Sequence, residues 1–224
     1  MERANALGVS VPKLVVRGAI ADRYLFRYLV MEYIQGETLG DRRASLSSGE
    51  KREIGRQLRR IVDGWATPCG DFNGIDVIAR SLRSPRWRAA PERFRAEWEQ
   101  FLRGYRGGDN VYVHGDLTAE NLLVCPNGKL TVIDFADSVR APEIYETMPI
   151  VCDAFCFDRD FLEGYFGHYD PATLAKRCLE GILIHEYGWQ TAKGLFGDFE
   201  SIRELFDKVY RRLLSAASYP IKNE

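Results

Sequence analysis

The chain has 224 residues, 46% of them hydrophobic and 28% charged, with a formal net charge of −1. That length suits one large domain or two small lobes, the composition is that of a water-soluble globular protein, and the near-zero charge gives no field to draw nucleic acid or an anionic membrane. No run approaches the ~20 apolar residues of a membrane span, the N-terminus lacks an apolar signal core, and five scattered cysteines without a Cys-x2-Cys pair suit reduced thiols of a cytoplasmic protein.

In chain order, Met1–Leu7 reads as a short helical start. Gly8–Val16 then reads as a turn into a strand, with Pro12 tolerable only near its beginning. Tyr24–Ile34 is aromatic and aliphatic and reads as a second strand, ended by Gln35-Gly36. Ser47-Ser48-Gly49-Glu50 carries a serine cap and a first-turn acid. Ile54, Leu58, Ile61, Val62 and Trp65 follow at helical spacing, with Arg52, Arg56, Arg59 and Arg60 mostly on the opposite, solvated face. Turn residues from Thr67 to Gly74 end this helix, and a loop runs through Ser84-Pro85 to Ala90-Pro91. Pro91–Leu102 reads as a helix whose stripe of Phe94, Trp98, Phe101 and Leu102 is core.

The next stretch organises the chain. Val111-Tyr-Val113 is an apolar strand, Leu122-Leu-Val124 a second, and Thr131-Val-Ile133 a third that leads into Asp134; Pro126-Asn127-Gly128 turns the last two into a hairpin. The hairpin brings Asp134 beside the polar loop that carries Asp116 and Asn121. Two carboxylates and an amide converging at one end of a small sheet suit metal-assisted phosphoryl transfer. Mg²⁺ takes hard oxygen ligands, often one or two from protein and the rest from phosphates and water, which Asn121 and Asp134 can supply. Asp116 is left to accept the proton of an attacking hydroxyl.

His114-Gly-Asp116-Leu-Thr-Ala-Glu-Asn121 and Val132-Ile-Asp134-Phe-Ala-Asp137 resemble the catalytic loop and metal-binding motif of the aminoglycoside phosphotransferase and choline kinase-like family, the small-molecule branch of the protein-kinase-like fold. The resemblance implies Asp116 as catalytic base, Asn121 and Asp134 as metal ligands, His114 as a loop-orienting residue and Asp137 as a recurrent acid of the site. It also implies that Leu29–Leu39 is the hinge between two lobes, where the backbone of Glu32, Tyr33 and Ile34 meets the adenine edge. The sequence departs from the family upstream. Only eight residues precede Val9, no Gly-rich phosphate loop is present, Lys13 lies in the wrong segment for the strand lysine, and Glu2 is too close for the helix glutamate.

After Asp137, Arg140–Glu146 resembles the family segment that enters the helical lobe, with Tyr145-Glu146 beginning to buttress the metal loop. Helical spacing continues over Glu146–Cys156, Arg159–Phe166, Pro171–Leu195 and Phe199–Leu214, with Asp170-Pro171 a cap and first residue. In the aminoglycoside branch, acids of this region line a cationic-acceptor site. Asp153 and Glu186 are the candidates here, and Tyr187 and Trp189 add possible cation–π faces. His168 and His185 lack ligand-spaced partners and read as structural.

The expectation is an α+β, protein-kinase-like fold: residues 1–36 a remnant of the β-rich N-lobe and hinge, residues 37–224 a mainly helical C-lobe with the catalytic and metal-binding hairpins. The expected function is Mg²⁺-dependent transfer of the ATP or GTP γ-phosphate to a small-molecule hydroxyl, aminoglycoside-like or amino-alcohol. No nucleic-acid or membrane partner is expected. A catalytically silent kinase-like binding protein, a truncated fragment, and a Mg²⁺-dependent phosphohydrolase using the same acids are the alternatives.

Overall fold

The computed structural model describes residues 2–218. The helical start is α1 (Glu2–Ala6), with Met1 outside the described residues. An antiparallel hairpin follows, β1 (Leu14–Ala21) with β2 (Leu25–Met31). The ladder ends at Met31, short of the expected Ile34, and Glu32–Gly36 runs irregularly into β3 (Glu37–Thr38). The hairpin is exposed along almost its whole length. The segment before it is not: Ala4 and Val11 are buried in the main core, and the Val132 N–H donates to the Ser10 carbonyl at 3.3 Å. Packing thus groups residues 2–12 with the helical body, whereas the sequence divides the chain at residue 36.

After the short α2 (Leu39–Arg42), α3 (Ser48–Trp65) starts at the expected cap. Ser47 and Glu50 form a reciprocal capping box, and Ile54, Leu58, Ile61, Val62 and Trp65 are buried. α3 crosses α6 (Arg159–Phe166) at backbone contact. A Cβ on Gly55 would lie 2.4 Å from the Phe161 carbonyl oxygen, and one on Gly164 would lie 2.2 Å from the Arg52 carbonyl oxygen. Ion pairs Lys51–Asp158 (2.8 Å) and Arg52–Asp160 (2.6 Å) flank that crossing. The arginines of α3 are thus ion-paired to neighbouring acids rather than gathered for a ligand, with Arg56 and Arg60 both held by Glu53.

α4 (Val77–Arg83) lies between the Thr67–Gly74 turn and the loop that starts at Ser84, where the sequence assigns no element. Asp76 caps it by accepting from the Ile78 and Ala79 N–H groups, but seven residues are too few to display a period. α5 (Glu92–Gly104) sends Phe94, Trp98 and Leu102 into the core. There Trp87 stacks on Trp98 at 4.3 Å, and the Trp98 indole donates to the Leu183 carbonyl at 2.8 Å.

Two small sheets follow. β5 (Leu122–Val124) lies between β3 and β6 (Leu130–Val132), and β4 (Asn110–Val113) pairs with β7 (Val139–Pro142). Pro142 sits at the end of β7, opposite Asn110.

Two expected helices differ. Glu146–Cys156 is a 3₁₀ turn (Glu143–Glu146) followed by a π-helix (Pro149–Ala154), which ends in two consecutive left-handed residues, Cys156 and Phe157. Pro149 brings no N–H to an α-helical ladder there. Pro171–Leu195 is broken into α7 (Pro171–Ile184) and α8 (Gly188–Phe196), because His185 is extended and Gly188 packs its Cα on the Ile182 carbonyl; a Cβ there would sit 1.8 Å from that oxygen. α9 (Ile202–Ser218) closes the body against α7. The five cysteines are unpaired. Among the described residues no helix is long and apolar enough to cross a membrane.

Candidate active site

The loop between β4 and β5 is held on both sides of one glycine. Gly115 has φ +85°, and a Cβ there would meet the Asp137 carbonyl oxygen at 2.3 Å, so only glycine lets the chain turn here. The Gly115 N–H donates to the carboxylate of Glu146 (3.3 Å), which also accepts the His114 N–H. The Gly115 carbonyl accepts from the ring of His185 at 3.2 Å.

His114 fixes the next turn. It is fully buried, stacked on Trp65 and edge-on to Phe135. Its Nδ1 accepts the Asp116 N–H at 3.3 Å and its Nε2 faces the Ile133 carbonyl at 2.9 Å, a pattern that needs the neutral tautomer protonated at Nε2. Burial pushes its pKa down to about 4, so the ring keeps that form at neutral pH. One neutral imidazole therefore ties the catalytic loop to the strand end before Asp134.

Asp116 and Asn121 meet directly. The Asn121 amide Nδ2 donates to both the Asp116 backbone carbonyl and its carboxylate, each at 2.8 Å. Both bonds use the amide nitrogen, which leaves the amide oxygen available as a metal ligand. The Ile133 N–H donates to the Asn121 carbonyl at 3.0 Å, which brings Asp134 alongside. Asp134 sits at φ +56°, an uncommon conformation for a non-glycine residue, and its carboxylate accepts the Ala136 N–H at 3.2 Å. Among the described residues no three His, Cys, Asp or Glu side chains form a ready-made metal cage. An amide oxygen and one carboxylate suit Mg²⁺ that draws its other ligands from phosphate and water.

Partial burial raises the Asp116 pKa most; the charge of Asp137 adds to it, the Asn121 hydrogen bond opposes it, and Asp134 and Asp153 contribute further. Asp134, Asp137 and Asp153 are exposed, so these acids face one open surface. Asp153 belongs to the π-helix. Its carboxylate accepts the Ala119 N–H at 2.8 Å, and its backbone carbonyl accepts from Arg43 at 3.0 Å. Such widened turns recur at functional sites.

Glu186 stands elsewhere. Its two oxygens are ion-paired with Arg86 (2.7 Å) and Arg80 (3.1 Å), Arg86 covers the Tyr187 ring at 4.1 Å, and Trp189 is buried against Phe94 and Phe199. Glu186, expected to bind substrate, is thus ion-paired with two arginines and lies apart from the Asp116 loop, while Tyr187 remains partly exposed beside Arg86. At the other end, the Glu32 N–H donates to the Lys13 carbonyl at 2.9 Å, and Glu32, Tyr33 and Ile34 lie in the irregular link between β2 and β3.

Two supports of the loop were read only coarsely in the sequence. Glu146, expected to buttress the metal loop, accepts the His114 and Gly115 N–H groups instead. His185 shows no spacing signal at all.

The sequence model of the phosphotransferase enzyme family, APH, matches residues 1–179. Solved structures similar to the chain include the GDP and kanamycin complex of APH(2")-IIia, at 20% identity and TM-score 0.56, covering 94% of this chain and 77% of that one. A choline/ethanolamine kinase family protein from Mesorhizobium loti aligns at 14% identity and TM-score 0.55, covering 98% and 78%. The choline kinase LicA from Streptococcus pneumoniae aligns at 18% identity and TM-score 0.54, covering 97% and 78%. These likenesses fix the fold as protein-kinase-like. No curated protein matches the sequence.

Proposed function

This chain belongs to the phosphotransferase enzyme family, and from that premise we propose that it transfers the γ-phosphate of ATP or GTP to a hydroxyl of a small molecule, with Mg²⁺. The observation that carries the reading is the Asp116–Asn121 pair, clamped into one loop and set beside Asp134. Asp116 accepts the proton of the attacking hydroxyl and aims its oxygen. Partial burial and the charge of Asp137 raise its pKa and bring the base nearer to working pH. Bound Mg²⁺ would supply neutralisation of phosphate charge. The Asn121 amide oxygen and the Asp134 carboxylate would hold it. The link through Glu32, Tyr33 and Ile34 would present backbone groups to the nucleotide base. Asp137 and Asp153 would attract an ammonium-bearing acceptor, an aminoglycoside or an amino-alcohol.

The test is transfer from ATP or GTP to panels of both acceptor classes. Asp116→Ala should lower turnover by about 10²–10⁴ while circular dichroism stays unchanged. Undiminished turnover in that variant would sink the assignment. A second reading, nucleotide or acceptor binding without transfer, is favoured by the absence of lysine from β1 and β2. Calorimetry with and without Mg²⁺, on wild type and Asp134→Asn, separates the two. Mg²⁺-dependent nucleotide binding that weakens in the variant supports a working phosphate site.

A further inference from the structure

One peptide unit of the catalytic loop is held at both ends by imidazoles. The peptide that joins Gly115 to Asp116 offers one N–H and one carbonyl, on opposite edges of its plane. The N–H donates to Nδ1 of His114 at 3.3 Å, and the carbonyl accepts from Nε2 of His185 at 3.2 Å. His114 belongs to the loop itself. His185 stands in the extended break between α7 and α8, 70 residues from Gly115. Such a plane needs outside support. Gly115 has no side chain to restrict its rotation, and its φ of +85° lies where the chain has no regular ladder to hold it.

The His185 ring is seated for that bond. It is buried, lies against the Tyr145 ring at 4.3 Å and accepts the Tyr187 N–H on Nδ1 at 3.2 Å. Tyr145 is itself fixed, its hydroxyl accepting from Arg80 at 2.8 Å. Because Nδ1 accepts, the neutral ring carries its proton on Nε2, and the Gly115 carbonyl takes it. Burial pushes the His185 pKa down to about 3, so at neutral pH the ring keeps this one donor.

We propose that His185 is a positioning residue for phosphoryl transfer: its Nε2–H, opposite Nδ1 of His114, fixes the Gly115–Asp116 peptide plane and through it the direction of the Asp116 carboxylate. The inference rests on the reading of Asp116 as the base. Rotation of the plane would swing the Asp116 side chain, and a displacement of about 1 Å at a reacting atom costs on the order of 10² in rate.

Two amides separate positioning from packing. His185→Asn keeps an acceptor for the Tyr187 N–H but is too short to reach the Gly115 carbonyl. His185→Gln carries an amide N–H near the place of Nε2. With ATP or GTP, Mg²⁺ and a hydroxyl acceptor that the wild type phosphorylates, kcat of the Asn variant should fall by about 10- to 100-fold while both KM values stay within about two-fold. The Gln variant should recover to within about three-fold of wild type. Equal losses in the two variants, or a loss carried by KM, overturn the proposal. Where a variant does not fold, the wild-type chain decides without turnover: imidazole ¹⁵N spectra at neutral pH should show His185 protonated at Nε2 and bare at Nδ1. The opposite tautomer overturns the proposal, because a bare Nε2 cannot bond a carbonyl. A wild type that shows the expected tautomer but phosphorylates no acceptor sinks the functional reading, an outcome distinct from failure of the clamp.

Discussion

At the scale of single residues, the candidate site depends on buried groups behind its loop. Burial lifts the Glu146 pKa to about 8 against the two N–H bonds it accepts. In the unfolded chain it titrates near the ordinary 4.5, so between pH 4.5 and 8 the folded state holds a proton that the unfolded state has released. This residue therefore makes stability fall as pH rises through that window. Glu146→Gln keeps an acceptor for the two N–H groups and has nothing to titrate. Its melting temperature should fall less from pH 5 to pH 8 than that of wild type, as calorimetric scans at each pH would read. Glu146→Ala orphans both buried N–H groups and should cost about 2–4 kcal/mol in denaturant melts. Gly115→Ala should be disabling to turnover, because the left-handed backbone and the Asp137 carbonyl both refuse a methyl group.

At the scale of elements, the body is assembled where small residues let backbones touch. α3 and α6 meet through Gly55 and Gly164, and Gly164→Ala forces the helices apart or distorts one of them. The expected loss is about 1–3 kcal/mol by urea titration, in contrast to Gly49→Ala, which meets nothing within 4 Å and should stay within about 0.5 kcal/mol. Element types followed from sequence where a cap and an apolar period agreed, as at Ser47–Trp65. They failed where tertiary contact overrode the period. The break between α7 and α8 exists because the Gly115 carbonyl takes the His185 ring and Gly188 closes on Ile182. The π-helix places Asp153 on the Ala119 N–H. α4 was too short to show a period, and the pairing of β7 with β4 joins residues that no local signal connects.

At the scale of the whole molecule, a helical body with one buried core carries an exposed two-stranded hairpin. Amide exchange in dilute solution should be fastest along β1 and β2 and slowest in α3, α6 and α7, where backbone bonds are covered by core. Equal protection across both regions would show that the hairpin is covered even when dilute. The sequence by itself located the candidate site, because Asp116, Asn121 and Asp134 lie in one short stretch whose strands, turn and spacing are local. It also implied the fold, through a motif too specific to arise on an arbitrary hairpin. Only the tertiary structure decided which acids are available: Asp153 opens to the site from a π-turn, while Glu186, equally acidic in the sequence, is ion-paired with two arginines more than ninety residues away. Charge is a property of a residue type, but whether it is offered to a ligand depends on partners brought together from distant parts of the chain.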